Sequence, residues 1–246
     1  MIPTRQAPFH VGLIGYGLAG QAFHAPFIAT TSGLRLEAIV TGNADRQRAA
    51  GRAHPGATID KSASRLWARA DKLDVIVVAS PNRTHASLAT QALEHGLHVV
   101  VDKPFATSVS EARALVAEAA RRDRVITVFQ NRRWDGDFLT VRRLLAEDAL
   151  GRPARFESRF VRWRPSPTGT WRESGEPEDA SGLLFDLGSH IIDQALLLFG
   201  SARHVYAELD VRRSGVRADD DSFVALTHAS GVRSHLFMIA VAAQPG

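Results

Sequence analysis

The sequence predicts an α/β protein: a doubly wound parallel-sheet domain over residues 1–130, then an α+β domain with a mostly antiparallel sheet over residues 131–246. Three observations predict it. Continuous apolar runs in the first half are separated by single helical segments, the pattern of parallel strands covered on both faces. A glycine-rich turn follows the first of those runs. After residue 130 the runs give way to apolar–polar alternation, which marks half-buried strands.

In chain order, Val11–Ile14 is a buried strand, followed by a helix from about Gly17 to Ala29. Leu36–Val40 is the second strand, with a helical stretch from about Asp45 to Ala53. Asp74–Ala79 (DVIVVA) is the third, Ser87–Glu94 a helix closed by Gly96, and Leu97–Val101 the fourth strand. Ser108-Val-Ser-Glu111 is a capping box that opens a helix to about Arg122, and Val125–Phe129 is a further strand.

In the second half, a helix over about Phe138–Ala149 stops at Gly151. Arg155–Trp163 alternates, with Phe156 and Phe160 on one face and Arg155, Glu157 and Arg159 on the other. A loop rich in Pro, Gly and Ser runs from Arg164 to Ser181, and a long helix spans about Leu183–Phe199, ending at Gly200. Strands follow at Val205–Val211, Ser222–Thr227 and Val232–Val241. In the first of these, Val205, Ala207, Leu209 and Val211 face one way, and Tyr206, Glu208, Asp210 and Arg212 the other. One sheet face is expected to be helix-covered and the other free for solvent or a second copy, so homo-oligomerisation through this sheet is expected. Only Ala242–Gly246 follow the last run, which predicts a short, open-edged sheet.

Composition narrows the function classes. Hydrophobic residues make up 45% and charged residues 23%, the mix of a folded globular chain rather than a disordered or fibrous one. The net charge is +4, but the clusters Arg121–Arg122 with Arg124, Arg132–Arg133, Arg142–Arg143 and Arg212–Arg213 are short and interleaved with carboxylates. They read as solvated faces, and nucleic acid is not an expected partner. The absence of cysteine excludes disulfides, thiolate metal sites and cysteine nucleophiles. The first apolar run is cut by Gly15, Gly17 and Gly20, and no later stretch is expected to approach membrane-spanning length. A cytoplasmic protein without a membrane partner is expected.

Gly15-Tyr-Gly17-Leu18-Ala19-Gly20 joins a strand to a helix, the arrangement of a phosphate-binding turn in a dinucleotide (Rossmann) domain. Gly15 permits the turn, Gly17 admits a pyrophosphate to the backbone, and Gly20 lets helix and strand approach. The second strand ends in Thr41-Gly-Asn43-Ala-Asp45-Arg46. Small polar residues stand where an NAD site usually has a carboxylate, and Arg46 is suited to a 2′-phosphate. NADP is therefore expected; NAD remains the alternative, with Asp45 turned to the ribose and Arg46 solvated.

Two further groups of residues carry chemistry. Asp102-Lys103-Pro104 follows a strand at the carboxyl edge of the sheet, where such domains bind ligands, and the proline biases Lys103 toward an extended backbone. A surface turn is the plainer alternative. Asp186, His190 and Asp193 share one stripe of an otherwise apolar helix. Read without chemistry, Asp186 favours the helix dipole and His190 is a satisfied core histidine. The residues do not suggest a metal site.

Taken together, the phosphate loop continuing into Phe23-His24-Ala-Pro26, Ser80-Pro81-Asn82 with His85, Asp102-Lys103-Pro104 and the Asp186/Gly188/His190 pattern resemble the Gfo/Idh/MocA oxidoreductases over nearly the whole chain. Asn131-Arg-Arg-Trp134-Asp135-Gly-Asp137-Phe138, Trp171-Arg172-Glu173 and the Asp186–Gln194 stretch look closest to the family's NADP-dependent scyllo-inositol dehydrogenases. Asp102 departs from the family's usual glutamate, and members of the family run longer than this chain. The resemblance implies hydride transfer between NADP(H) and a secondary alcohol of a cyclitol or sugar. It implies that His190 takes the hydroxyl proton, that Asp186 orients it or holds a neighbouring hydroxyl, and that Lys103 hydrogen-bonds the reacting oxygen. It places Ser80, Pro81, Asn82 and His85 at the cofactor. Arg132, Trp134, Asp135, Trp163, Trp171 and Arg172 become candidates to line the polyol pocket or close over the nicotinamide. The alternatives are a redox-silent nucleotide sensor, an NAD-dependent glycosidase of related fold and an inactive fragment.

Overall fold

A computed structural model describes residues 7–243. The chain forms two compact units, Met1–Phe129 and Gln130–Gly246.

The first unit is a six-stranded parallel sheet of β1 (Phe9–Ile14), β2 (Leu34–Val40), β3 (Thr58–Asp60), β4 (Val75–Val78), β5 (His98–Asp102) and β6 (Ile126–Phe129), in the order β3-β2-β1-β4-β5-β6. Leu13 lies between Ile39 on β2 and Val77 on β4. The helices are α1 (Ala25–Thr30), α2 (Ala44–Ala53), α3 (Ala63–Trp67), α4 (His85–Glu94) and α5 (Val109–Arg121). Successive strand residues feed two separate cores. Val11, Leu13, Ile39 and Val77 pack with Ala25, Ile28 and Ala50, while Ile14, Ile76, Val78 and Val99 pack with Leu66, Leu93 and Leu115. That two-sided burial is why the strands read as unbroken apolar runs. Ser108 caps α5 by accepting from the Glu111 amide at 3.2 Å. Glu111 does not close the reciprocal box; its carboxylate accepts from the Thr107 amide and hydroxyl instead.

The second unit contains α6 (Gly136–Ala146), β7 (Arg155–Val161), α7 (Ser189–Phe199), β8 (Ala202–Asp210), β9 (Asp221–His228) and β10 (Arg233–Ile239). Its sheet runs β7-β10-β9-β8, with β10 antiparallel to β9, β9 antiparallel to β8, and β10 parallel to β7. Leu187, Ile191 and Ala195 from the helical segment pack on Val224, Leu226, Leu236 and Met238, and Phe156 and Phe160 join them. On the opposite face Phe223 meets Phe237 at 4.8 Å, and the Arg159 guanidinium lies 4.9 Å from the Phe237 ring centre.

Four expectations need correction. β8 alternates in sequence, yet Val205, Tyr206 and Leu209 are all more than half exposed, because the helix-packed core is built on β9 and β10 and touches this edge strand at Ala202. Arg213 is no solvated arginine: its side chain is only 8% exposed and bonds Asp220 at 2.8 Å and Glu173 at 3.0 Å. Pro177–Phe199 does reach membrane-spanning length by length and composition alone, although its helix packs on a sheet. The helices at both motifs are also not regular, since one wide turn falls at Gly20–His24 and another at Leu184–Gly188.

Candidate functional site

In the first unit the predicted nucleotide residues gather at the carboxyl ends of neighbouring strands, around the β1/β4 junction where the strand order reverses. Gly15 has φ +105°, and a methyl there would sit 2.2 Å from the Ala79 carbonyl oxygen at the end of β4. A methyl on Gly20 would meet the Gly15 carbonyl oxygen at 2.2 Å. These two positions therefore lock the turn onto the sheet. Gly17 is different: a methyl there would meet only the Arg46 guanidinium, at 3.8 Å. Leu18 is exposed and Ala19 partly so, which leaves the turn open to a ligand.

Arg46 reaches the turn because Asn43 starts α2, its side chain accepting from the Arg46 amide at 3.0 Å. Thr41, buried at the end of β2, receives the Gln47 side chain on its carbonyl oxygen at 2.7 Å. Asp45 turns outward and pairs with Arg48.

Ser80 bonds Thr84 at 2.6 Å in the turn after β4, with exposed Pro81 and partly buried Asn82 beside it. His85 is only 1% exposed and both its ring nitrogens face main-chain carbonyls, Ser80 at 2.9 Å and Pro104 at 2.8 Å. Both ring contacts thus lie within the protein. Lys103 follows β5, partly buried, its amide donating to Asp102 Oδ1 at 2.8 Å. The other Asp102 oxygen stops 3.6 Å from Nε2 of buried His24, whose ring rests on Phe129 at 4.3 Å.

In the second unit His190 is buried in the first turn of α7, and Asp186 lies in the wide turn that precedes it. Such turns recur at functional sites because the extra residue redirects the side chains on either side of it. Asp186, Arg172, Arg162, Arg164, Glu173 and Arg213 line one cavity of about 110 Å³. Trp171 stacks under Arg172, whose guanidinium lies 4.6 Å from the ring centre. Burial pushes the Arg162 guanidinium below its ordinary value, Arg164 and Arg132 add to this, and Asp186 opposes it. Sequence reasoning missed Arg162; its signal was a second basic residue, with Arg164, at the end of an alternating strand.

The other pocket candidates do not join that cavity. Arg132 pairs with Asp135 at 2.8 Å and lies 4.7 Å from the Phe160 ring centre. Trp134 is 74% exposed and lines a separate depression with Leu139, Arg142 and Leu197. Trp163 is exposed past β7, bridged to Val241. Asp193, on the predicted stripe, is held by Arg133.

Residues 9–130 match an oxidoreductase family with an NAD-binding Rossmann fold, and residues 138–246 match the GFO/IDH/MocA C-terminal domain. The chain belongs to the Gfo/Idh/MocA oxidoreductase family. Among curated members it is 46% identical over 210 residues to the uncharacterized oxidoreductase YdgJ of Escherichia coli K12, a match covering 85% of this chain and 59% of YdgJ. It is 31% identical over 210 residues to the scyllo-inositol 2-dehydrogenase (NADP(+)) IolW of Bacillus subtilis, covering 85% of this chain and 57% of IolW. The chain thus spans somewhat more than half the length of these relatives. A solved oxidoreductase from Klebsiella pneumoniae superimposes with a TM-score of 0.83 at 38% identity, over 97% of this chain and 64% of that one. The six-stranded parallel sheet and the mixed four-stranded sheet are the Gfo/Idh/MocA arrangement that the sequence motifs resembled.

Proposed function

We propose that this protein binds NADP(H) on its first unit and a cyclitol or sugar on its second, and interconverts a secondary alcohol and its ketone, with scyllo-inositol-like substrates preferred. The observation that carries the reading is the Arg46 guanidinium beside Gly17 at the phosphate turn, with Asp45 engaged by Arg48. A guanidinium there attracts a 2′-phosphate, whereas a carboxylate would repel it. The open backbone at Gly17 is a cradle that a pyrophosphate can approach.

The residues divide the chemistry. When bound, the nicotinamide supplies the hydride acceptor for alcohol oxidation. His190 takes the hydroxyl proton on its imidazole. The family resemblance gives Lys103 the role of hydrogen-bond donor to the reacting oxygen, stabilising negative charge that builds there. Asp186 orients the imidazole or holds a neighbouring hydroxyl, and Arg172 and Trp171 shape the surrounding pocket. The 31% identity to a relative named scyllo-inositol 2-dehydrogenase (NADP(+)) supports the substrate class. Self-association is proposed through the open sheet face around Phe223 and Phe237.

The test is turnover of scyllo-inositol with NADP+ against NAD+, with Lys103→Ala and His190→Ala alongside. Each variant is expected to lose about 10²–10⁴-fold in rate while still binding NADPH. Near-normal rates in both would remove the assignment.

A further inference from the structure

One face of β7 packs Phe156 and Phe160 on the helix-covered core, and the chain carries that face past its last apolar residue. Beyond Val161 the backbone stays tied to the end of β10: the Arg162 amide donates to the Ile239 carbonyl at 2.8 Å and the Arg164 amide to the Ala240 carbonyl at 2.7 Å. Alternation sends Arg162 and Arg164 to the side of Phe160, and the Arg162 guanidinium lies 5.4 Å from the centre of that ring. Both arginines line the cavity of about 110 Å³ that Arg172, Asp186 and Glu173 also border. A face that begins as core thus ends as a cationic wall.

Most carboxylates of that wall already serve other groups. Glu173 holds Arg213 at 3.0 Å through one oxygen and accepts from the Thr168 and Gly169 amides through the other. Asp219 accepts from the Leu184 amide at 2.7 Å and the Ser222 hydroxyl at 2.6 Å, and Asp220 holds Arg213 at 2.8 Å. Asp186 offsets part of the Arg162 charge, while Arg164 and Arg132 add like charge beside it. Arg172 lies over Trp171 instead of a carboxylate. We propose that Arg162, Arg164 and Arg172 form a carboxylate site, which holds either an acidic substituent on the sugar or a small carboxylic acid bound beside a neutral one. The planar fork of a guanidinium matches a carboxylate through two parallel hydrogen bonds. A dianion such as phosphate would meet stronger repulsion from Asp186 and Glu173 in the same wall, so a monoanion is the better match. The anion site stands on these contacts alone; only the oxidation of its occupant rests on the proposed reaction.

The experiment titrates the full chain, at fixed ionic strength, with D-glucuronate, D-glucose and acetate, read by the arginine Nε–H signals of ¹⁵N-labelled protein. D-glucuronate is expected to bind at least about tenfold tighter than D-glucose. No saturable glucuronate binding, or an affinity equal to that of glucose, overturns the site, and this comparison needs no variant. Arg162→Gln and Arg164→Gln are each expected to weaken glucuronate about tenfold and to leave glucose within about twofold; glucuronate affinity unchanged in both overturns the assignment to these residues. Acetate at least about tenfold weaker than glucuronate places the carboxylate on the sugar, and acetate as tight as glucuronate makes it a separate acid; either result keeps the arginines as its receptor. If neither scyllo-inositol nor D-glucuronate reduces NADP+, the proposed reaction fails, and the titrations still decide the site.

Discussion

Arg133 closes on Asp193 through two parallel hydrogen bonds, Nε to Oδ2 at 2.7 Å and Nη2 to Oδ1 at 2.6 Å. Beside it, Gln194 donates to the Arg132 carbonyl oxygen at 3.0 Å. Together they staple the Asn131–Trp134 turn to α7, and Asp193 raises the Arg133 guanidinium above its ordinary value. Two-point geometry makes the pair stronger than most exposed ones, and Asp193 is only 17% exposed. A double-mutant cycle of Arg133→Ala and Asp193→Ala, read by denaturant melts, is expected to give a coupling of about 1 kcal/mol. A coupling near zero would reduce the staple to a surface contact.

The phosphate turn separates stability from binding. Gly15→Ala places a methyl against the Ala79 carbonyl at a positive φ, and is expected to cost about 3 kcal/mol or more, or to prevent folding. Gly17→Ala meets only a mobile guanidinium and is expected to change stability by less than about 1 kcal/mol while weakening NADPH binding. Thermal melts paired with nucleotide titrations read both effects.

Arg46→Ala tests cofactor choice. Loss of one charge-assisted contact to a phosphate is expected to cost about 1.5–3 kcal/mol of NADPH affinity, and NADH affinity should hardly move. Equal losses for the two nucleotides would place Arg46 outside the 2′-phosphate site.

Glu173 makes the loop after β7 sensitive to acid. Burial raises its carboxyl, but bonds from the Thr168 amide and hydroxyl and the Gly169 amide, with the Arg213 charge, outweigh that and hold it below the ordinary glutamate value. A folded value below the unfolded one means that the stabilisation is complete above the ordinary value and is lost as pH falls through the folded one. Glu173→Gln is therefore expected to be less stable than the wild type at neutral pH, with the difference vanishing in acid. A gap that persists in acid would assign the loss to packing.

What the sequence disclosed depended on how much of an element's environment its residues record. The runs Asp74–Ala79 and Leu97–Val101 were legible because strands buried on both faces are mostly apolar. Thr58–Asp60 and Ala63–Trp67 went unread: a three-residue edge strand and a five-residue helix carry too few positions to show a period. The alternation of Val205, Ala207 and Leu209 described two faces truly, but a period of two does not say which neighbour covers either face. The wide turns at Gly20–His24 and Leu184–Gly188 leave no compositional trace. For the site, Gly15 and Gly20 were legible because the turn leaves no room for a side chain at either position. The contacts of His85 were not, since a histidine's partners are chosen by the chain around it, and here they are two carbonyls 5 and 19 residues away.

The strand order of the second sheet bears on synthesis. β10 is last in sequence among the four strands, yet it lies inside the sheet, with β7 on one side and β9 on the other. Arg155 cannot meet Arg233 until everything between them has left the ribosome. Until then β7 lacks β10, its sheet neighbour among the described residues, and Phe156 and Phe160 have no Leu236 or Met238 to lie against. The first unit gathers its sheet from strands made earlier, so it can ripen during translation, while the second unit must wait as a nascent, chaperone-accessible hairpin of β8 and β9.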